Sequence, residues 1–172
     1  MALDRQPVLA SELLLLRPLD RGDFESLYRI ASDPLVWEQH PSKDRTDKSV
    51  FRLWFDEAIG SQGALVAVDR SNSEVIGTSR YGLPGADKVE IGWTFPARAR
   101  WGGMWNGEMK RLMLAHAFES VSTVVFTIHS NNVRSQRAVE RVGASRVGTS
   151  PDPHGRGQNI VFHLQKQAVD RE

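Results

Sequence analysis

The chain has no cysteine among its 172 residues. Disulfide frameworks, thiolate zinc sites and cysteine nucleophiles are therefore excluded. The chain also has no excess of either charge, because 22 Lys and Arg stand against 21 Asp and Glu, for a net charge of +1. This balance gives no reason to expect nucleic acid or an acidic membrane surface as a partner.

Long apolar runs are missing as well. The longest, residues 13–16, is far too short to cross a bilayer. The first ten residues lack the basic segment and apolar core of a signal peptide. We therefore expect a cytoplasmic protein with no membrane partner, folded as one domain over residues 1–172 and present as a monomer or homodimer.

Hydrophobic periodicity and turn residues predict ten secondary-structure elements. Strands are expected at 12–17, 64–69, 74–82, 88–95, 123–129 and 156–166, and helices at 20–32, 47–60, 104–120 and 133–142. Turn residues join the three middle strands into an antiparallel meander, and the helix at 104–120 completes a βαβ-like unit. The predicted fold class is α/β (α+β), with one mixed, mostly antiparallel sheet of about six to seven strands and helices on both faces.

A glycine-rich turn, within ARWGGMWNGEMKRL at residues 99–112, leads into the third helix. Glycine makes a helix about 1 kcal/mol less stable than alanine does, so glycines at this position indicate a specific need for a backbone without side chains. Free amides at a helix start bind anions, and Arg98 and Arg100 could reach further phosphates. The alternative is a tight turn with packing glycines and solvent-facing arginines. The spacing matches neither the P-loop nor the dinucleotide fingerprint.

Residues 88–148 resemble the core of the GNAT superfamily of acyl-CoA-dependent N-acetyltransferases. VEIGWTF is similar to its fourth strand, and ARWGGMWNGEMKRLMLAHAFE to its pyrophosphate-binding turn and helix. VVFTIHSNNVRSQRAVERVGA is similar to its fifth strand and the following Asn-x-x-Ser helix. The opening LLLLRPLDRGDFESLYRIASDP resembles the branch that includes the ribosomal-protein alanine N-terminal acetyltransferases.

The resemblance implies acetyl-CoA as cosubstrate, bound at the glycine turn, and no metal. The family's Gln/Arg-x-x-Gly-x-Gly/Ala pattern is kept at Gly102, whereas Ala99 and Met104 depart from it. The implied cofactor contacts are Trp93, Thr94, Phe95, Arg98, Arg100, Trp101, Gly102, Gly103, Met104, Trp105, Asn106, Gly107, Asn132 and Ser135.

Glu90 is the candidate general base, because it lies in the otherwise apolar strand KVEIGW. Strand alternation predicts that Ile91 and Trp93 face away from it and that Gly92 lies beside it. In several members of the resembling family, a glutamate at this position takes the amine proton, often through water. Two alternatives remain: Glu90 binds the substrate ammonium, or it faces solvent.

Asn132 and Ser135 match the family's Asn-x-x-Ser. Asparagine is a favoured helix N-cap and the serine falls at the third helical position, so capping alone explains the pair. The resemblance implies that Asn132 also binds the pantetheine arm and that Ser135 protonates the thiolate. Many relatives use a tyrosine four residues beyond the serine, where this chain has Val139. Ser135, water or unassisted departure of the thiolate must then complete the reaction.

The implied reaction is direct attack of a primary amine on the thioester in a ternary complex. The acceptor is a small amine or a protein N-terminus, and Trp37 and Glu90 are expected to contact it. The five histidines show no metal-ligand spacing. Two rival functions stay open: a non-catalytic acyl-CoA sensor on the same fold, and a nucleotide-binding protein.

Overall fold

A computed structural model of the protein describes residues 2–83 and 85–167. These residues form eight strands: β1 (Leu9–Ala10), β2 (Leu14–Pro18), β3 (Ala64–Asp69), β4 (Val75–Tyr81), β5 (Lys88–Pro96), β6 (Thr123–His129), β7 (Ser145–Pro151) and β8 (Gln158–Gln165). They also form four α-helices: α1 (Phe24–Ala31), α2 (Lys48–Gly60), α3 (Trp105–Ala117) and α4 (Val133–Glu140). None of these helices combines the length and the apolar character needed to cross a membrane.

The strands form one mixed sheet in the order β1-β2-β3-β4-β5-β6-β8-β7. Every neighbouring pair is antiparallel except β5 and β6, which are parallel and joined through α3. The predicted fold class, the meander and the βαβ unit are confirmed. The predicted count of about six to seven strands is one to two short of eight, because two strands were missed: β1 has only two residues, and β7 is an edge strand exposed along almost its whole length. Such a strand has no hydrophobic alternation to reveal it.

Helices cover both faces of the sheet. Alternate residues of β3 divide between the two cores: Leu65 and Ala67 pack with Met113 of α3. Ala64 and Val66 pack instead with the aromatic side chains of α1 and α2. This division follows from the two-residue period of a strand, which sends successive side chains to opposite faces.

A β-bulge interrupts the pairing of β4 with β5. Thr78 lies opposite Phe95 but Arg80 lies opposite Gly92, so β5 holds one extra residue between these pairs. Trp93 in the bulge has φ 53°. Its ring lies 4.6 Å from the Arg80 guanidinium carbon, on the face that Gly92 shares with the strand's glutamate. The expectation that Trp93 faces away from that glutamate was wrong, because the bulge breaks the alternation.

The parallel strands β5 and β6 part after three pairs. Their register runs from Lys88 opposite Thr123 to Glu90 opposite Val125 and goes no further. The rest of β5 leads through Pro96 and a short 3₁₀ turn to the start of α3. A gap beside a helix N-terminus, where parallel strands separate, is the place where mixed α/β folds bind ligands.

Candidate active site

The start of α3 presents unpaired backbone amides. The turn before it passes through Gly102 at φ +71°, a left-handed conformation that favours glycine. The N-cap residue, Met104, makes no side-chain capping bond, and the Glu108 amide donates to its carbonyl at 2.8 Å. The amides of residues 105–107 precede that first helical bond and have no partner within the helix. Together with the positive end of the helix dipole they form a site for an anion.

A groove runs from this helix start along α4, and we call it the α3 groove. A Cβ added at Gly102 or Gly107 would meet no heavy atom within 4 Å, so the glycines leave open space there. The groove is lined by Val36, Trp37, His40, Thr94, Phe95, Pro96, Trp101, Gly102, Gly103, Asn106, Gly107, Lys110, Asn132, Arg134, Ser135, Ala138, Arg141 and Val142. Its charged side chains are all basic, which suits an anionic ligand.

Arg134 is a groove residue that the sequence analysis missed. Its guanidinium carbon lies 3.7 Å from the centre of the Trp101 ring, close enough for cation–π attraction. It also donates to the Val36 carbonyl at 3.3 Å, and its backbone amide donates to the side-chain oxygen of Gln39 at 3.0 Å. Two segments outside α4, residues 36–39 and the turn with Trp101, therefore hold this positive charge at the groove, and no local sequence signal reports such an arrangement.

The start of α4 faces both the groove and the gap in the sheet. Asn132 is the N-cap, and its side-chain oxygen accepts from the Ser135 amide at 3.2 Å. The predicted capping role is confirmed. Within residues 2–83 and 85–167 the Asn132 side-chain amide and the Ser135 hydroxyl make no hydrogen bond, so both polar groups are available to a ligand.

Glu90 lies in a second cavity, the Glu90 cavity, on the far side of the gap. The side chain is half-buried, and burial raises the pKa of its carboxyl group, while the Thr127 hydroxyl acts in the opposite direction. Trp93 and Gly92 lie beside it. A carboxylate with a raised pKa is a better proton acceptor than an exposed one, as a general base requires.

The opposite wall of the Glu90 cavity is basic. Arg45 has its guanidinium carbon 5.1 Å from the Trp37 ring, and burial lowers its pKa to about 10. Arg156 donates to Asp152 at 3.3 Å. Burial, with the charges of the two arginines, lowers the pKa of His40 to about 3. His40 is therefore a neutral wall residue and too weak a base to deprotonate an amine.

Lys110 is the second site residue that the sequence analysis missed. It lies on α3, is only 6% exposed and lines both cavities. Its ammonium donates to the Asn106 side-chain oxygen at 2.8 Å, and burial lowers its pKa to about 8. Helical spacing does give a signal, because Lys110 shares a face with the buried Met113, Leu114 and Ala117.

The two cavities meet at a shared wall. The side chains that line both are Trp37, His40, Thr94, Phe95, Lys110, Asn132 and Ser135. A ligand lying in the α3 groove can therefore present its end to a molecule in the Glu90 cavity. Most of the predicted site residues, including Trp37, lie in these two linings.

Four predicted cofactor contacts lie outside both linings: Arg98, Arg100, Met104 and Trp105. Arg98 donates to Asp33 at 2.7 Å, and Arg100 donates to Asp69 at 2.8 Å and lies over the Trp105 ring. Met104, by contrast, is largely exposed. The acidic partners of the two arginines are far away in sequence, so the sequence could not reveal that these charges are already paired. Within the part of the chain that the structure describes, no cluster of His, Cys, Asp or Glu could hold a metal ion.

Comparisons with known proteins agree with this architecture. The sequence model described as "Acetyltransferase (GNAT) domain" matches residues 14–145. The fold is similar to a GNAT-family acetyltransferase from Bacillus anthracis, with 19% identity, a TM-score of 0.75 and 92% and 98% of the two chains covered. It is also similar to a GCN5-related N-acetyltransferase from Brucella melitensis, with 19% identity, a TM-score of 0.81 and coverages of 93% and 79%.

A third similar structure is Mycobacterium smegmatis RimJ in complex with CoA-disulfide, with 18% identity, a TM-score of 0.71 and coverages of 96% and 88%. The sequence matches no curated protein. At these identities the structures show the shared fold, whereas the sequence model covers most of the chain and shows the family. The chain therefore belongs to the GNAT acetyltransferase family.

Proposed function

We propose that the protein is an acetyl-CoA-dependent N-acetyltransferase that acetylates a primary amine by direct attack in a ternary complex. One observation carries the proposal: an anion-binding groove and a cavity holding a carboxylate with a raised pKa share a wall at the gap in the sheet. That arrangement brings an acyl donor and an acceptor together with a base beside them.

The residues of the α3 groove fit acetyl-CoA, which would supply an activated acetyl thioester. The amides of residues 105–107 suit the pyrophosphate, and the guanidinium of Arg134 adds positive charge beside it. The Asn132 side-chain amide, which lines the groove, is the proposed donor to the pantetheine arm. RimJ, one of the structural neighbours, was solved with CoA-disulfide, which supports the same ligand here.

Glu90 is the proposed general base. An attacking amine must first be neutral, and its pKa decides how much help it needs. A lysine-like amine has a pKa near 10.4 and an α-amine one near 7.7–8.0. Glu90, with its raised pKa, accepts the proton directly or through water. We propose a small amine or a protein N-terminus as the acceptor, with Trp37 in the wall of its pocket.

Incubation with acetyl-CoA and a panel of amines tests the proposal. Free thiol and acetylated amine should appear in equal amounts for at least one class of amine. Protection of the protein against heat by CoA, without turnover of any amine, would instead favour the acyl-CoA sensor. Protection by ATP but not by CoA would overturn the assignment of the groove.

A further inference from the structure

Lys110 is a buried cation without an acidic partner. Its one hydrogen bond within residues 2–83 and 85–167 goes to the neutral side chain of Asn106, and no ion pair involves it there. An ammonium ion has three N–H donors, so two are left without a protein acceptor. Burying such a charge is costly unless something compensates for it. The protein retains this cost at one specific place, which indicates that a ligand supplies the missing negative charge.

The position of Lys110 identifies the part of the ligand that it faces. It is the one charged residue in the wall shared by the α3 groove and the Glu90 cavity. Glu90 lies in the cavity on one side of this wall, and the amides of residues 105–107 lie in the groove on the other side, about one helical turn before Lys110 on α3. The reacting thioester must therefore lie at the wall, next to the lysine, if the proposed function holds.

We propose that Lys110 is a catalytic residue, whose ammonium neutralises and protonates the departing CoA thiolate. This inference rests on the proposed N-acetyltransferase activity. For this role the sequence offered Ser135, water or unassisted departure, because Val139, a buried apolar residue, occupies the place where many members of the resembling family have a tyrosine. Ser135 shares the wall, but its hydroxyl carries no charge with which to stabilise an anion.

Attack by the amine and departure of the thiolate move two protons. The amine nitrogen bonds to the thioester carbon, the carbon–sulfur bond breaks, and its electron pair goes to sulfur. The sulfur takes a proton from the Lys110 ammonium, while the proton of the attacking amine goes to Glu90. Glu90 then releases its proton to solvent and Lys110 regains one, so that both groups return to their starting charge states. The lowered pKa of Lys110 supports this role, because a donor near 8 is well matched to a thiol with an ordinary pKa of about 8.5.

Two substitutions test the proposal, each with turnover and binding measured. Lys110→Met keeps the length of the side chain without its charge. Lys110→Gln also removes the charge but keeps an N–H donor for Asn106. We expect each to lower kcat by about 10²-fold, the low end for a general acid. Arg111→Met is the control, because Arg111 is exposed and paired with Glu108 on the same helix; it should keep the wild-type kcat.

A comparison of CoA with desulfo-CoA separates catalysis from structure. At a pH near the thiol pKa of about 8.5, the wild type should bind CoA about tenfold more tightly than desulfo-CoA. Both Lys110 variants should bind the two ligands equally. If the variants still bind CoA more tightly than desulfo-CoA, or if Lys110→Gln has the kcat of the wild type, Lys110 has only a structural role and the proposal is wrong. If the wild type binds no CoA, the proposed function itself fails, and this inference fails with it.

Discussion

The substitution Gly107→Leu tests whether the α3 groove binds the cofactor. Gly107 lies in the first turn of α3 with a helical backbone, and a Cβ added there meets no heavy atom within 4 Å. The leucine therefore fits without strain and extends into the groove. Removing a helical glycine also stabilises the fold by about 0.8 kcal/mol. Gly102 is a poorer choice, because its φ of +71° would strain any side chain.

The expected size of the effect follows from mass action. At a concentration about 100 times the Kd, a ligand stabilises the folded state by about 2.7 kcal/mol. For a chain of this length each kcal/mol raises the Tm by about 2–4 °C. Acetyl-CoA should therefore raise the wild-type Tm by roughly 5–10 °C in a thermal melt. Gly107→Leu should start from a higher Tm and show no rise.

Gly60→Leu is the matched control for this experiment. Gly60 is also a helical glycine with open space around it, but it lies at the end of α2, outside the groove lining. This variant should keep the whole ligand-dependent rise. A folded Gly107→Leu protein that also kept the rise would refute the assignment of the groove to the cofactor.

Three further outcomes follow from the site. Glu90→Gln should raise the Tm at about pH 7 and lose this gain by about pH 4 in thermal melts. The pKa of Glu90 is higher in the folded state than in the unfolded state, so the stability of the wild type falls as the pH rises between these two values. Arg45→Met should raise KM for amines that carry a carboxylate and leave KM for other amines unchanged in steady-state assays, because Arg45 adds positive charge to that cavity. Asn132→Asp keeps the capping acceptor but removes the amide donor, so the unliganded Tm should hold while calorimetry shows weaker CoA binding.

The sequence predicts well what depends on local periodicity. The meander, the βαβ unit and the glycine turn at Gly102 follow from alternation, turn residues and helix signals, and the structure confirms the elements they imply. Asn132 and Ser135 match the family's Asn-x-x-Ser, and their capping role could be predicted because a cap is encoded within four residues. These features need no knowledge of distant parts of the chain.

Features that depend on distant contacts could not be predicted. The bulge that turns Trp93 toward Glu90 arises from a register shift between two strands and leaves no mark on the composition. Arg98 looked free only because its partner, Asp33, lies 65 residues away. Lys110 is a different case: its helical spacing puts it on a face with buried residues, but lysine is rarely fully buried, so the sequence analysis did not select it.

In the proposed mechanism Glu90 assists attack of an amine on acetyl-CoA, and this role is tested by measuring kcat against pH for the wild type and Glu90→Gln. With a lysine-like amine, kcat of the variant should be about 10²–10⁴-fold lower at neutral pH. This loss should shrink as the pH approaches about 10.4, where the amine is deprotonated without help. An unchanged kcat with a raised KM would show that Glu90 only binds the ammonium, and equal kcat and KM in both proteins would contradict any role for it.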